Sequence, residues 1–409
     1  MVNTCAFIQP AVEEAENAIR EALAWKAAGR VRRVMVAGCL PQRFRDSLPG
    51  QFPDVDAFLG LKDFSRIAEI VRGEETGAVD PGLPTWLPDH RLPRVISTPP
   101  FRAYLKLAEG CSNHCRYCLI PKIRGELRSR APDSILREAR RLARQGVKEI
   151  TLIAQDTTAY GQDLGKGISL TGLLEPLGRV QGLKWIRVLY AHPRGLTEPL
   201  IEALARVEKV VPYLDVPVQH ASDRILKAMG RGITGKEIRR RLLKLRRRIP
   251  AIALRTTLMV GFPGETEKDF LELLDFVREV EFDHLGAFGY FPEAGTEAAR
   301  LPSQVPEKVK EERKAELLSL QAEISRSRNE SRIGREYEVL IETFDHDQKI
   351  TIARTPGQAP EIDGITKIYR DDLTPGSFPR VKITDGLIYD LVGEITGAKS
   401  LLTLLGVKR

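Results

Sequence analysis

Three cysteines, Cys111, Cys115 and Cys118, stand inside the run Glu109-Gly110-Cys111-Ser112-Asn113-His114-Cys115-Arg116-Tyr117-Cys118-Leu119-Ile120-Pro121. A CxxxCxxC spacing lets one loop present three thiolates to a cubane iron–sulfur cluster and leaves the fourth iron open. An open iron can chelate a small molecule, and for this spacing the usual guest is S-adenosylmethionine. Electron transfer into the chelated sulfonium splits it into methionine and a 5′-deoxyadenosyl radical. A zinc loop or reduced structural thiols are the competing readings. Zinc more often uses paired CxxC units and four ligands, and no fourth Cys or local CxxH completes this set. His114 reads as spacer.

The other two cysteines, Cys5 and Cys39, each follow a short β-branched run. In an open α/β sheet, ligands bind past the carboxyl ends of the strands. Two thiols there could share a metal cluster, or they could be two buried apolar cysteines.

The elements that must position these residues fall into an alternating series. Near the N-terminus, helices at 13–28 and 64–71 alternate with strands at 31–37 and 55–59, and 44–48 looks helical; this order makes a parallel sheet. A stretch with Pro81, Pro84, Pro88, Pro93, Pro99 and Pro100 follows and reads as an extended connector. Six strands are expected next, at 104–107, 149–154, 185–190, 213–218, 253–260 and 284–290. Helices at 133–143, 198–207, 236–248 and 267–280 separate them. Six β/α units in series give a parallel sheet or partial barrel whose site lies at the carboxyl ends of the strands.

Those ends carry Gln155-Asp156-Thr157-Thr158, Ala191-His192-Pro193-Arg194, Gln219-His220-Ala221-Ser222 and Gly261-Phe262-Pro263-Gly264-Glu265-Thr266. Gln155, Asp156, Gln219, Gly261, Gly264 and Glu265 are the candidate S-adenosylmethionine contacts on this rim, the glycines by admitting close backbone approach. His192 and His220 touch ligand or are plain loop residues. The arginine-rich helix 236–248 reads as a solvated outer face that could steer the chain towards a ribosome. A long charged helix at 306–332 then leads into five short strands at 338–343, 349–354, 364–369, 380–385 and 389–395, which suggest a small β-barrel. Asp345, Asp347, Asp371, Asp372 and Asp385 make it acidic, unlike a general RNA binder.

At 409 residues the chain is too long for a single core. Its net charge of +8 favours an anionic partner only weakly. With 42% apolar residues, no apolar run is long enough to span a bilayer, and Glu13, Glu14 and Glu16 interrupt any signal peptide. A cytoplasmic protein with reduced thiols and no membrane is expected.

Taken in order, Asn3-Thr4-Cys5, Gly38-Cys39, the cysteine loop with Ile120-Pro121 and Arg124-Gly125, Gly261-Phe262-Pro263-Gly264-Glu265-Thr266 and the terminal barrel cover nearly the whole chain. The chain resembles the radical S-adenosylmethionine methylthiotransferase family. The resemblance implies an α/β fold of three parts: an N-terminal methylthiotransferase domain (1–75), a linker (76–96), a radical-SAM partial (β/α)6 barrel (97–330) and a TRAM-type β-barrel (331–400). It implies two 4Fe-4S clusters, one held by Cys111, Cys115 and Cys118, the other an auxiliary cluster with Cys5 and Cys39. In this family a methyl group first goes to a sulfur at the auxiliary cluster, and the radical then takes hydrogen from an unactivated carbon that collects the methylthio group. No conventional general base is needed.

Two branches compete. One modifies an adenosine of tRNA; the other (RimO type) modifies the β-carbon of an aspartate in ribosomal small-subunit protein twelve. Tyr190-Ala191-His192-Pro193, the Gln155-Asp156 and Gln219-His220 exits and the acidic barrel resemble the second. The implied partners are that ribosomal protein, with the ribosome itself as one setting, and an external electron donor. A non-catalytic iron–sulfur RNA-binding scaffold is the reading from another class. The family's auxiliary cluster has a third cysteine upstream of the Asn-Thr-Cys segment, so a shortened first domain with an incomplete cluster is also expected.

Overall fold

The protein is described here from a computed structural model covering residues 1–74 and 82–396. Pro81 and part of the expected linker (76–81), together with the expected barrel's last residues (397–400), lie outside the described residues. The N-terminal part is a parallel sheet of β1 (Val2–Thr4), β2 (Met35–Gly38) and β3 (Ala57–Leu59), in that order. The helix Gln9–Ala27 crosses between the first two strands and buries Val12, Ala15 and Ile19. Its turns begin four residues before the expected start because Pro10 suits a first helical turn, where an N–H would be orphaned anyway. Residues 82–98 contain no helix or strand.

The central part is a six-stranded parallel sheet in sequence order: β4 (Arg102–Lys106), β5 (Glu149–Ile153), β6 (Trp185–Val188), β7 (Val210–Asp215), β8 (Ala253–Val260) and β9 (His284–Gly289). Two faces alternate along every strand. Ala103, Leu105, Ile150, Leu152, Ile186, Val188, Leu214, Leu254 and Leu258 pack outward into one large core beneath the helices. The intervening residues (Arg102, Tyr104, Lys106, Glu149, Arg187, Tyr213, Arg255) face the lumen of the partial barrel, as period-two geometry requires. The fourth strand stops at Asp215 rather than 218, because Pro217 has no N–H to donate. Capping boxes at Thr234/Glu237 and Thr266/Asp269 set the starts of the helices Gly235–Arg248 and Glu267–Val280.

Among the described residues, four of the eight basic side chains of the helix Gly235–Arg248 are paired with carboxylates. Arg239 pairs with Glu279 and Arg248 with Glu202, at 2.6 and 2.8 Å, while Lys244 pairs with Glu198 and Arg246 with Asp283.

The helix Glu307–Glu330 leads to the C-terminal barrel: β10 (Glu336–Glu338), β11 (Leu340–Asp345), β12 (Ile350–Arg354), β13 (Thr366–Ile368), β14 (Arg380–Gly386) and β15 (Leu391–Ile395). The expected first strand is two, broken at buried Val339. Its first half pairs with β14 and its second half with β12, so the two ends of the sheet are halves of one bent segment and the sheet closes on itself.

This barrel docks against the N-terminal ends of the central strands. Phe378 meets Trp185 edge-on with ring centroids 5.0 Å apart, and the His284 ring contacts the Gly357 carbonyl at 2.9 Å. At the joint Glu149 is fully buried between two guanidiniums, Arg187 from β6 (2.9 Å) and Arg354 from β12. Burial alone would raise its carboxyl; Arg354 and Arg187 outweigh that and hold it at about 2.

A carboxyl depressed in the folded state contributes stability above its unfolded value of about 4.3 and loses it as pH falls towards 2. Thermal unfolding followed from pH 6 to pH 2 should therefore show stability falling below about pH 5. Arg354→Ala should cost about 3–5 kcal/mol by leaving Glu149 short of a partner and should flatten that pH dependence; a parent-like melting curve would contradict this account of the joint.

Candidate iron–sulfur and S-adenosylmethionine site

The cysteine loop leaves β4 through Gly110, whose φ of +76° and close approach to the Glu126 carbonyl exclude a side chain. A Cβ there would lie 2.1 Å from that oxygen. The returning chain pairs Arg128–Ser129 with Ala108–Glu109, closing the loop at its base. Cys111, Cys115 and Cys118 all line one cavity of about 350 Å³ at the C-terminal rim of the barrel, together with Gln155, His192 and Gln219. Burial raises the Cys111 thiol and pushes Cys118 up to about 12. Such thiols become ligands when a metal displaces their protons. Among the described residues no three His, Cys, Asp or Glu side chains converge on a single metal ion's position. Three thiols that each bind a different iron of a cubane need not do so.

The same cavity holds buried polar atoms without partners: Gln155 Oε1, Gln219 Oε1 and His192 Nε2. His192 Nδ1 accepts the Arg194 backbone N–H at 3.2 Å, which leaves the proton on Nε2. Burial, then the positive charges of Arg231, Arg194 and Arg241, depress its pKa to about 2, so the ring stays neutral. The cavity thus offers two acceptors and one neutral donor to a ligand. Buried groups of this kind are normally satisfied, and an amino acid with a ribose carries the matching hydroxyls, ammonium and carboxylate. The residues fit bound S-adenosylmethionine beside a three-thiol cluster.

Asp156 stands one layer back. It accepts from Asn113 Nδ2 at 2.7 Å and from the Thr158 backbone at 2.9 Å. Asn113 also donates to Cys111 Sγ at 3.4 Å and accepts from Arg194 at 2.8 Å, so Asp156 and Arg194 together orient the loop. Gly261, Gly264 and Glu265 do not line this cavity. Glu265 is buried, accepts the backbone N–H of Gly261 (2.7 Å) and Phe262 (3.2 Å), and pairs with Arg313 at 2.8 Å. It clamps the strand exit to the long helix Glu307–Glu330, and a Cβ on Gly261 would meet Lys310 rather than a ligand. His220 is buried, with Nδ1 accepting from Ser222 at 3.0 Å.

Other groups at the site escaped the sequence reading. Arg231 reaches Cys115 Sγ and the Tyr117 hydroxyl at 3.5 Å each and donates to the Pro217 carbonyl at 2.6 Å. Its signal was the Gly230-Arg231-Gly232 turn after a short helix, Asp223–Ala228, that periodicity does not reveal.

Cys5 and Cys39 line a second cavity, of about 430 Å³, with Lys106, Glu109, Arg124 and Arg128. Gly38 precedes Cys39 with φ +110°, and the Thr4 carbonyl lies 2.6 Å from where its Cβ would be. Burial raises the Cys39 thiol, partly countered by the guanidinium of Arg124, which donates to Sγ at 3.3 Å. Arg124 also pairs with Glu109 at 2.8 Å. Glu109 opens the three-cysteine loop and Arg124 follows its last thiol, so this ion pair ties the base of that loop to the cavity of Cys5 and Cys39.

Family models match three stretches: the Radical SAM superfamily at residues 105–277, the TRAM domain at 333–396 and Uncharacterized protein family UPF0004 at 1–60. Among solved structures, the radical S-adenosylmethionine methyltransferase TsrM from Kitasatospora setae, with tryptophan and an S-adenosylmethionine analogue bound, superimposes with a TM-score of 0.52 at 17% identity. The match covers 68% of this chain and 58%, less than two thirds, of that one, and it shows the shared fold. Curated relatives are much closer. Ribosomal protein uS12 methylthiotransferase RimO of Geotalea uraniireducens is 47% identical over 400 residues, 97% of this chain and 89% of the relative. The proteins of the same name from Geobacter sulfurreducens and Clostridioides difficile are 47% and 44% identical, each over 97% of this chain. With such identity sustained along almost its whole length, the chain belongs to the ribosomal protein uS12 methylthiotransferase RimO family.

Proposed function

We propose that this protein is a radical S-adenosylmethionine methylthiotransferase that adds a methylthio group to the β-carbon of an aspartate in ribosomal protein uS12. The observation that carries the reading is two thiol-lined cavities, one with Cys111, Cys115 and Cys118 beside unpartnered Gln155, His192 and Gln219, the other with Cys5 and Cys39. Cys111, Cys115 and Cys118 would hold a 4Fe-4S cluster with S-adenosylmethionine, and Cys5 and Cys39 would belong to an auxiliary one. Bound there, these groups supply one-electron cleavage of a sulfonium and hence attack on an unactivated C–H bond. The chain's own residues bind and orient. Gln155, Gln219 and neutral His192 meet the polar groups of S-adenosylmethionine, Arg231 offsets negative charge beside Cys115, and Asp156 acts through Asn113. Gly261, Gly264 and Glu265 support this site from outside it, by fixing the fifth strand's exit. An external electron donor is part of the reading.

No helix among the described residues is long and apolar enough to cross a membrane. The C-terminal barrel exposes Glu336, Asp347, Asp371, Asp372, Asp385 and Glu394. That surface suits a basic protein better than tRNA.

The test is anaerobic reconstitution with iron and sulfide, then reaction with S-adenosylmethionine, a reductant and either uS12 or tRNA. Mass spectrometry should find the methylthio group on uS12; a gain on tRNA alone would overturn the substrate. Cys111→Ala, Cys115→Ala and Cys118→Ala should each abolish 5′-deoxyadenosine formation, and parent-level formation by any of them would refute the ligand set. Replacing Asp347, Asp371 and Asp385 together by lysine should weaken uS12 binding several-fold at low salt and reduce its salt dependence. Unchanged affinity across a salt titration would move the docking surface elsewhere.

A further inference from the structure

The reacting carbon of an aspartate side chain is bonded directly to its carboxylate. If sulfur is delivered from the cavity of Cys5 and Cys39, that carboxylate arrives at the mouth of the same cavity. An unpaired carboxylate in such a place carries a desolvation penalty of several kcal/mol. The site must therefore hold a cation that is free to turn to it.

Among the described residues, the strands of the lumen carry four Lys and Arg side chains. Three are committed near the C-terminal barrel. Arg102 pairs with Glu342 and Glu361 at 3.1 and 3.0 Å, Arg187 with Glu149 at 2.9 Å, and Arg255 with Asp215 and Asp363 at 3.1 and 3.4 Å. The fourth, Lys106, closes β4 at the opposite end. It lines the cavity of Cys5 and Cys39, and its side chain is 34% exposed. Among the described residues its side chain pairs with Glu109, three residues along, and Glu109 already holds Arg124 at 2.8 Å. Glu109 therefore stays paired when Lys106 swings away. The neighbouring cations are less available. Arg124 is tied to both Glu109 and Cys39, and Arg128 gives its two terminal nitrogens to the Trp86 and Arg124 carbonyls. Arg231 and Arg194 serve the other cavity. Lysine suits a switch of partner, being a point charge on a flexible stem.

We infer that Lys106 is the specificity-determining residue for the target side chain: it exchanges Glu109 for the substrate carboxylate and holds the aspartate against the cavity of Cys5 and Cys39. The inference rests on the methylthiotransferase reading above and adds to it the group that distinguishes aspartate from its neutral isostere, asparagine. Arg128 Nε, buried and without a partner, is a second donor within the same cavity.

The experiment uses the reconstituted full chain with S-adenosylmethionine and no reductant, so binding is read without turnover. Two synthetic uS12 peptides are compared, one with the target aspartate and one with asparagine in its place. A charge-assisted hydrogen bond is worth about 1.5–3 kcal/mol, or roughly a tenfold to hundredfold preference. The parent should prefer the aspartate peptide by that ratio, Lys106→Gln should bring the ratio close to one, and Lys106→Arg should restore much of it. Iron content and thermal unfolding of each variant are measured alongside. A Lys106→Gln ratio equal to the parent's overturns the inference. So does iron loss with an unchanged ratio, which assigns Lys106 to the second cluster. A parent that prefers aspartate yet places no methylthio group on uS12 defeats the methylthiotransferase reading instead, leaving the carboxylate contact standing.

Discussion

Glu149 is fully buried inside the barrel, held by Arg187 beside it and Arg354 from another domain. The lumen of a partial barrel is open to water on its own. Filling it with charged side chains is tolerable only when each charge finds a partner, and many of the partners come from the C-terminal barrel. Arg102 repeats the pattern with Glu342 and Glu361, and Arg255 with Asp363. The C-terminal barrel is therefore part of the catalytic domain's interior. A hydrophobic joint could slide; a set of ion pairs with fixed directions resists both sliding and rotation.

That joint reaches the reactive rim through a buried chain of contacts. Asp363 pairs with Arg255, Arg255 with Asp215, and Asp215 Oδ2 accepts the backbone N–H of Tyr190 at 3.0 Å. Tyr190 lies at the cavity of the three thiols with φ +58°, a conformation that non-glycine residues adopt at a cost of about 1 kcal/mol or more. Its carbonyl is taken by the Thr157 backbone at 3.0 Å. The loop carrying Gln155 and Asp156 is thereby fixed to the next strand's exit, and Asp156 fixes Asn113 in the cysteine loop. Docking at one end of the lumen and loop geometry at the other share one set of interactions.

Much of this was legible in the sequence where the signal is local. The strand Ala253–Val260 and the helix Glu267–Val280 follow from a β-branched run and a threonine cap, and both have the expected bounds. The three expected thiols and the strand-end residues Gln155 and Gln219 line one cavity. Gly261, Gly264 and Glu265 lie outside it, because Gly261 and Glu265 meet Lys310 and Arg313 of a helix that looks from its sequence like a mere connector. Leu170–Gly178 was missed because Gly172 and Pro176 interrupt its pattern, yet four leucines bury it. Glu109 and Arg124 stand in the motif run, but their pairing with each other and with Lys106 around the cavity of Cys5 and Cys39 comes from the fold rather than from any window of residues.

The C-terminal barrel covers the N-terminal ends of the central strands, and both sets of thiols lie at the other end. A side chain that reaches the thiols must therefore come in over the rim, past Lys106 and Tyr190, with its own backbone left outside. The lumen thus has one end closed by a neighbouring domain and one end left to ligands, so the docking that completes the fold also decides from which side the thiols are approached.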